Sequence, residues 1–303
     1  MKGRQIACLA LVAYAAVGAA QDEPRRAAAA APARAIDTLQ RIRATGAMPI
    51  GVRHASFPFS SVDDGKHARG YSIDLCLRIA DAIKSELALP RLEVRYVPVS
   101  ASNGIAALLD GKIDLECGAT SNTRERQQQV AFAYTTFVAG IRLLTRKTSQ
   151  ITGIDDLRGQ TIVVTRDTAS EKLIARLNEQ RSLKMNIAVA DNHDQSFRAV
   201  EQGTALAFPM DDVLLYGLIA KAKQPDDFVV VGKYLSVEPY AIMLRKEDPE
   251  LEAIVDRTLS LLFASGEIRE LYAKWFASRE LTVPMNPLLK EAFAIPNTYP
   301  AWP

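Results

Sequence analysis

Between residues 48 and 276, apolar positions follow two alternating patterns: short continuous runs, and runs spaced three or four apart. Met48 to Arg53 reads as a strand, and Ile73 to Leu87 as a helix with Leu75, Ile79, Ala80 and Ile83 on one face. Leu92 to Val99 is a second strand, Ile105 to Leu109 a short helix and Lys112 to Glu116 a third strand. A similar series follows. Thr161 to Thr165 is a strand, Ser170 to Leu177 opens a helix, Met185 to Ala190 is a strand and His193 to Gln202 a helix. Ala205 to Phe208 and Phe228 to Val231 are further strands, with Asp212 to Lys221 helical between them. Strands that alternate with helices define an α/β fold, and two such series predict two similar lobes. Val130 to Leu144 and Tyr240 to Arg245 are extended connectors, and helices from Pro249 to Phe276 follow the second. A chain that crosses twice returns its last helices to the first lobe and leaves a cleft with a two-strand hinge.

The ends of the chain add a location. Lys2 and Arg4 precede the apolar stretch Ile6 to Val17, and Gly18-Ala19-Ala20 offers small residues for cleavage near Gln21, the pattern of a secretory signal. A membrane anchor needs about 20 apolar residues; this stretch falls short, and no later segment is long and apolar enough. Cys8 comes too early in it for lipid attachment. Residues 21–37, rich in alanine with Arg26 and Arg34, read as a disordered leader. The tail from Arg279 holds five of the prolines and is expected to wrap the surface.

Composition then narrows the chemistry. A length of 303 residues suits two domains with real cores. Without Lys2 and Arg4, the 37 Lys and Arg fall to 35 and equal the 35 Asp and Glu, a balance that argues against a nucleic-acid partner. Cys76 and Cys117 are the cysteines left after the signal; export permits a disulfide, and two buried thiols fit equally well. His54, His67 and His193 are scattered, so neither metal nor other cofactor is expected.

The stretch richest in chemistry is Glu116-Cys117-Gly118-Ala119-Thr120-Ser121-Asn122-Thr123-Arg124-Glu125-Arg126. It follows the buried strand Ile113-Asp114-Leu115 and places hydroxyl and amide residues ahead of an arginine. Free backbone N–H groups, short hydroxyls and one planar guanidinium suit bidentate capture of a small carboxylate. No nucleophile stands beside a base, so the chemistry is capture rather than conversion.

At these residues the chain resembles the periplasmic solute-binding proteins of amino-acid ABC importers (family 3), in particular their glutamate/aspartate-binding branch. The likeness rests on the order and spacing of Pro49-Ile-Gly-Val-Arg-His, Arg69-Gly-Tyr-Ser-Ile-Asp-Leu, Asp114-Leu-Glu-Cys-Gly-Ala-Thr-Ser-Asn-Thr-Arg-Glu-Arg-Gln, Val163-Val-Thr-Arg-Asp-Thr-Ala-Ser-Glu, His193-Asp-Gln-Ser-Phe-Arg, Ala207-Phe-Pro-Met-Asp-Asp and Met243-Leu-Arg-Lys-Glu-Asp-Pro. It implies a type II two-lobed binding-protein fold, with 38–138 and 239–277 as lobe 1, 139–238 as lobe 2 and 278–303 as a tail. The implied partners are an amino acid and a membrane permease; the implied location is the periplasm, the implied state a monomer.

The resemblance also assigns roles. Arg126 grips the ligand α-carboxylate, with Thr120 and Ser121 joining from the loop and the amides at the Thr168–Ser170 turn from the other lobe. Asp211 accepts from the α-ammonium, although the adjacent Asp212 leaves the register open and either residue would serve as a helix cap. Arg53 and His193 face the ligand side chain; a structural salt bridge for Arg53 and a solvated helix start for His193 are the plainer alternatives. Gly104 stands where the acidic-ligand branch carries a second arginine, and Ala101, Ala119 and Ala169 where it carries hydroxyls. A pocket with one fewer cation suits a smaller, neutral or differently shaped polar ligand, while Ser102 and Asn103 keep acidic ligands open. A secreted dehydratase on the same scaffold is the competing reading. It would need a general acid from among Glu116, Asp194 and His193.

Overall fold

The computed structural model describes residues 37–63, 67–279 and 281–301. The expected export signal at 1–20 and the leader as far as residue 36 lie outside the described residues. The chain enters the fold through the helix Thr38–Thr45, where the Asp37 carboxylate caps the first turn by accepting from the Gln40 N–H.

The first sheet is built around Ala47–Arg53, almost wholly buried, as a strand covered on both faces must be. It pairs in parallel with Glu93–Val99 along its whole length and with Leu115–Glu116 on its other side. The next strand in the sheet is Met243–Leu244, antiparallel to Leu115–Glu116, with Ala131–Phe132 at the edge. A segment from late in the chain thus completes the first sheet, as two crossings require. In the second half Thr161–Thr165 pairs in parallel with Asn186–Ala190, while Ala207–Asp211 and Phe228–Val231 flank Ile141–Arg146 in antiparallel register.

The connector Val130 to Leu144 serves three places. Ala131–Phe132 joins the first sheet, Phe137–Ala139 makes a crossing and Ile141–Arg146 enters the second sheet. Gly140 marks the last break: a Cβ there would lie 2.4 Å from the Tyr234 ring. Phe137–Ala139 pairs antiparallel with the other crossing, Glu238–Tyr240, placing Phe137 opposite Tyr240 and Ala139 opposite Glu238. Phe137 and Tyr240 root this pair in an aromatic cluster. The Phe137 ring lies 4.8 Å from Phe59 and 4.9 Å from Phe276, and Tyr240 lies 5.0 Å from Phe59. Such aromatic pairs contribute about 0.5–1.5 kcal/mol each beyond their burial.

The helix Tyr71–Glu86 buries Leu75, Cys76, Ile79, Ala80 and Ile83, spaced for one face. It starts after Gly70, whose φ of 147° and whose position 2.0 Å from the Phe59 carbonyl oxygen, measured to a built Cβ, admit only glycine. A disulfide joins Cys76 on this helix to Cys117, a sequence separation of 41, and settles the question the sequence left open.

The tail does more than wrap the surface. Asn286 caps a helix, Pro287–Ala294, and Phe293 stacks on Phe263 at 5.0 Å. Beyond it the Asn297 carbonyl accepts from the Thr135 N–H, the Thr298 carbonyl from the Asn122 amide side chain, and the Ala301 N–H donates to the Asn122 carbonyl. The last described residues therefore brace the loop between Ser121 and Arg126. Among the described residues no helix is long and apolar enough to cross a membrane.

Replacing Cys76 and Cys117 together by serine is expected to lower stability by about 2–4 kcal/mol, the loop-closure range for a cross-link of this span. Urea unfolding of the two proteins measures it; coincident midpoints would show that the link constrains nothing.

Candidate ligand-binding cleft

The loop that begins at Glu116 is held at several points. The Cys117 N–H donates to the Gly51 carbonyl and the Ser72 hydroxyl donates to the Gly118 carbonyl. The Thr123 hydroxyl caps the short helix Arg124–Gln127 by accepting from the Arg126 N–H. Arg126 is thereby turned toward the second half of the molecule, half-buried. Its Nη1 donates to the Ser121 carbonyl at 2.9 Å and its Nη2 to the Asp167 carbonyl at 3.1 Å, so one guanidinium spans both halves. Lys172 and Glu125 make a second, exposed link at 2.5 Å, which screening by water leaves weak.

Opposite Arg126 begins the helix Ala169–Gln180. The Thr168 hydroxyl accepts from the Glu171 N–H as its cap and donates to the Thr165 carbonyl, and the Ser170 hydroxyl donates to the Met210 sulfur at 3.5 Å. Both hydroxyls are committed inside their own half. The amides of Ala169 and Ser170, in the first helical turn, have no intrahelical acceptor and remain as donors.

Arg53 is in an ion pair. Its Nε lies 2.8 Å from Glu116 Oε1, and its Nη2 donates at 2.8 Å to the Thr120 hydroxyl, which donates in turn to Glu116 Oε2. All three side chains are buried. The Thr120 hydroxyl, expected in the carboxylate grip, is consumed by this network: a buried arginine and carboxylate need every lone pair and proton satisfied. Gly118 makes room for the pair, since a Cβ there would stand 2.3 Å from Glu116 Oε1. Gly104 is adjacent to the same carboxylate, 3.6 Å from the Glu116 Cγ when measured to a built Cβ.

Arg53 and His193 line one cavity of about 240 Å³, together with Ser56, Ala101, Thr165 and Asn192. His193 is buried rather than a solvated helix start, because Asn192 takes the capping role and accepts from the Gln195 N–H. Its Nδ1 lies 3.0 Å from the Thr165 hydroxyl. Burial first, and the charge of Arg53 second, push its pKa down from 6.5 to about 3, so the imidazole is neutral.

The two aspartates separate cleanly. The strand runs to Asp211, further than the apolar run Ala205 to Phe208 suggests, and Asp212 starts the next helix. The Asp212 carboxylate accepts from the Val213 N–H and the Tyr234 hydroxyl, both at 2.8 Å. Asp211 Oδ1 is buried and has no hydrogen-bond partner among the described residues. Glu238 Oε2 and the Tyr240 hydroxyl, both on the second crossing strand, share that condition. Burial first, then the neighbouring Glu238, hold the Asp211 carboxyl well above the usual carboxylate range; burial raises Glu238 too. Sequence reasoning missed Glu238, although a carboxylate between a buried connector and Pro239-Tyr240 was its available signal. Among the described residues no cluster of three or more His, Cys, Asp or Glu is set to hold a metal.

Residues 48–278 match the family model of the bacterial extracellular solute-binding proteins, family 3. The chain belongs to that family. An L-glutamate/L-aspartate-binding protein of Pseudomonas aeruginosa is 44% identical over 268 residues, covering 86% of this chain and 88% of that protein. Among solved structures, the P235GK mutant of ArgBP from T. maritima matches with a TM-score of 0.71 and 27% identity, over 79% of this chain and 99% of that one. An ancestral amino acid-binding protein, AncCDT-1, a precursor of cyclohexadienyl dehydratase, matches with a TM-score of 0.68 and 29% identity over the same shares. The two-lobed α/β fold expected from the sequence is therefore the fold of this chain.

His193 gives a pH signature. The unfolded chain protonates this ring below its usual 6.5 and the folded protein only near about 3, so the folded state loses stability as the pH falls through that window, by about 1.4 kcal/mol per pH unit. In the ligand-free protein, His193→Gln is expected to flatten this part of the curve. Urea unfolding between about pH 6.5 and about pH 4 tests it, and parallel curves for the two proteins would refute a buried neutral ring.

Proposed function

We propose that this protein is the periplasmic substrate-binding component of an ABC importer for a polar or acidic amino acid, closing two lobes on a zwitterion and delivering it to a membrane permease. Residues 38–138 and 239–277 form one lobe, residues 139–238 the other, and the tail 278–303 braces the first. Arg126 and the Ala169 and Ser170 amides take the α-carboxylate, supported by Ser121 and by the Thr168 cap. Asp211 takes the α-ammonium. Arg53 and His193 face the side chain, and Thr120 acts by holding Arg53. The observation that carries this reading is the half-buried Arg126 guanidinium of one half, which reaches the Asp167 carbonyl beside the first-turn amides of the other and acts electrostatically on the buried Asp211 carboxylate there.

The likeness to the Pseudomonas aeruginosa protein supports a glutamate- or aspartate-like ligand. Glu116 already neutralises Arg53, and Gly104 adds no charge beside it, which opens the side-chain end to uncharged polar groups as well. The dehydratase alternative draws on AncCDT-1. It is the weaker of the two, because Glu116 is locked between Arg53 and Thr120 and His193 is a neutral imidazole, not the imidazolium a general acid requires, near neutral pH. We expect a monomer, with no nucleic-acid partner and no cofactor.

Calorimetry of the stripped mature protein against the twenty amino acids should find a tight polar or acidic ligand. Arg126→Ala should weaken it by about 2–4 kcal/mol, the loss of a charge-assisted bidentate contact. Undiminished binding by that variant, or turnover of a bound compound to a dehydrated product, would overturn the proposal.

A further inference from the structure

Glu238 poses a problem that the roles assigned so far leave unsolved. It lies on the crossing strand, only 4% exposed, and one of its oxygens, Oε1, accepts from the Ser236 hydroxyl at 2.7 Å. The other, Oε2, has no hydrogen-bond partner, and neither do Asp211 Oδ1 and the Tyr240 hydroxyl beside it, among the described residues. These groups belong to one cluster, since Asp211, Glu238 and Tyr240 each act electrostatically on another member. Register places them together too: Asp211 pairs with Ile141 and Glu238 with Ala139, two residues apart on the same connector, and Tyr240 bridges to Ser121.

Two buried carboxylates side by side are costly without a cation. Arg126 acts on both, but both of its hydrogen bonds go to carbonyl oxygens, those of Ser121 and Asp167. Among the described residues the carboxylate pair has no cation hydrogen-bonded to it. A primary ammonium brings N–H donors and one positive charge, which suits two neighbouring buried carboxylates that each leave an oxygen without a well-formed hydrogen bond, with the Tyr240 hydroxyl beside Asp211.

We propose that Glu238 is a second acceptor for the ligand's ammonium group, so that Asp211 in one lobe and the hinge strand itself hold the same cation. This rests on the reading of the cleft as an amino-acid site and goes further in naming what the site demands. The ammonium becomes the group that neutralises a pair of carboxylates. Ligands that keep the carboxylates but lack the nitrogen, such as 2-oxo acids, are rejected by two buried charges rather than one. Glutamine at position 238 keeps the size and the Ser236 contact but loses the charge.

Titrations with L-glutamate, L-aspartate, L-glutamine and L-asparagine, together with 2-oxoglutarate, test it on wild type, Glu238→Gln and Arg126→Ala. Glu238→Gln should weaken the tightest of the four amino acids about 10- to 100-fold, or about 1.4 kcal/mol per factor of ten. The thermal midpoint of the ligand-free variant should hold or rise, since a buried charge is removed, and 2-oxoglutarate should fail to bind wild type. Unchanged affinity in Glu238→Gln, or tight 2-oxoglutarate binding by wild type, overturns the role of Glu238. A variant whose ligand-free midpoint falls sharply along with its affinity marks a structural carboxylate and overturns it equally. Loss in Arg126→Ala with none in Glu238→Gln leaves the amino-acid reading standing alone, whereas wild type that binds none of the four amino acids removes both.

Discussion

The antiparallel pairing of Phe137–Ala139 with Glu238–Tyr240 is the constraint from which the architecture follows. Because the chain passes between the halves twice at one place, Met243–Leu244 must complete a sheet begun near residue 47, and the late helices must pack on the first half. The aromatic rings of Phe59, Phe137, Tyr240 and Phe276 fix that crossing at its root by burial and edge-on contact. Beyond the root, the segment from Ala139 to Glu238 meets the first half through the Arg126 guanidinium on the Asp167 carbonyl, an exposed ion pair, and the packing of Gly217 and Lys221 against Phe57. An aromatic root at the crossing with smaller contacts beyond it suits halves that separate and rejoin around a solute.

The buried charges divide into two kinds, and the division tells ligand chemistry from scaffold chemistry. Arg53, Glu116 and Thr120 are linked to one another by three hydrogen bonds, with Gly118 leaving the space. Among the described residues, Asp211 and Glu238 each leave an oxygen without a hydrogen-bond partner, and burial raises both carboxyls above their usual range. A closed network of the first kind sets the shape and polarity of a pocket wall. An open one of the second kind is costly without a cation, which is why the proposed ammonium site is placed there.

Much of this was legible in the residues. Both series of strands and helices, the crossings and the return of the last helices follow from apolar spacing, because most of these elements bury one face; Asn186–Ala190, with no buried residue, was legible from its apolar run alone. The ends of elements were harder. The strand before Asp211 runs past Phe208 because Pro209 and Met210 stay buried and paired, a fact of neighbours rather than of pattern. The helix Pro287–Ala294 was hidden by the prolines around it, although Asn286 followed by Pro287 is a start signal. At the site, the positions of Arg126 and Asp211 were readable through resemblance. The engagement of Thr120 by Arg53 and the openness of Glu238 were not, since both depend on which partner is nearest in space.

The tail has a temporal consequence as well as a spatial one. Asn122, between Ser121 and Arg126, is fastened by the carbonyl of Thr298 and the N–H of Ala301, which emerge some 180 residues later during synthesis. However early the first sheet forms, the arginine-bearing loop acquires this fastening only after Thr298 and Ala301 have been made. Contacts of such long sequence separation form late, so the loop is braced after the sheet from which it rises.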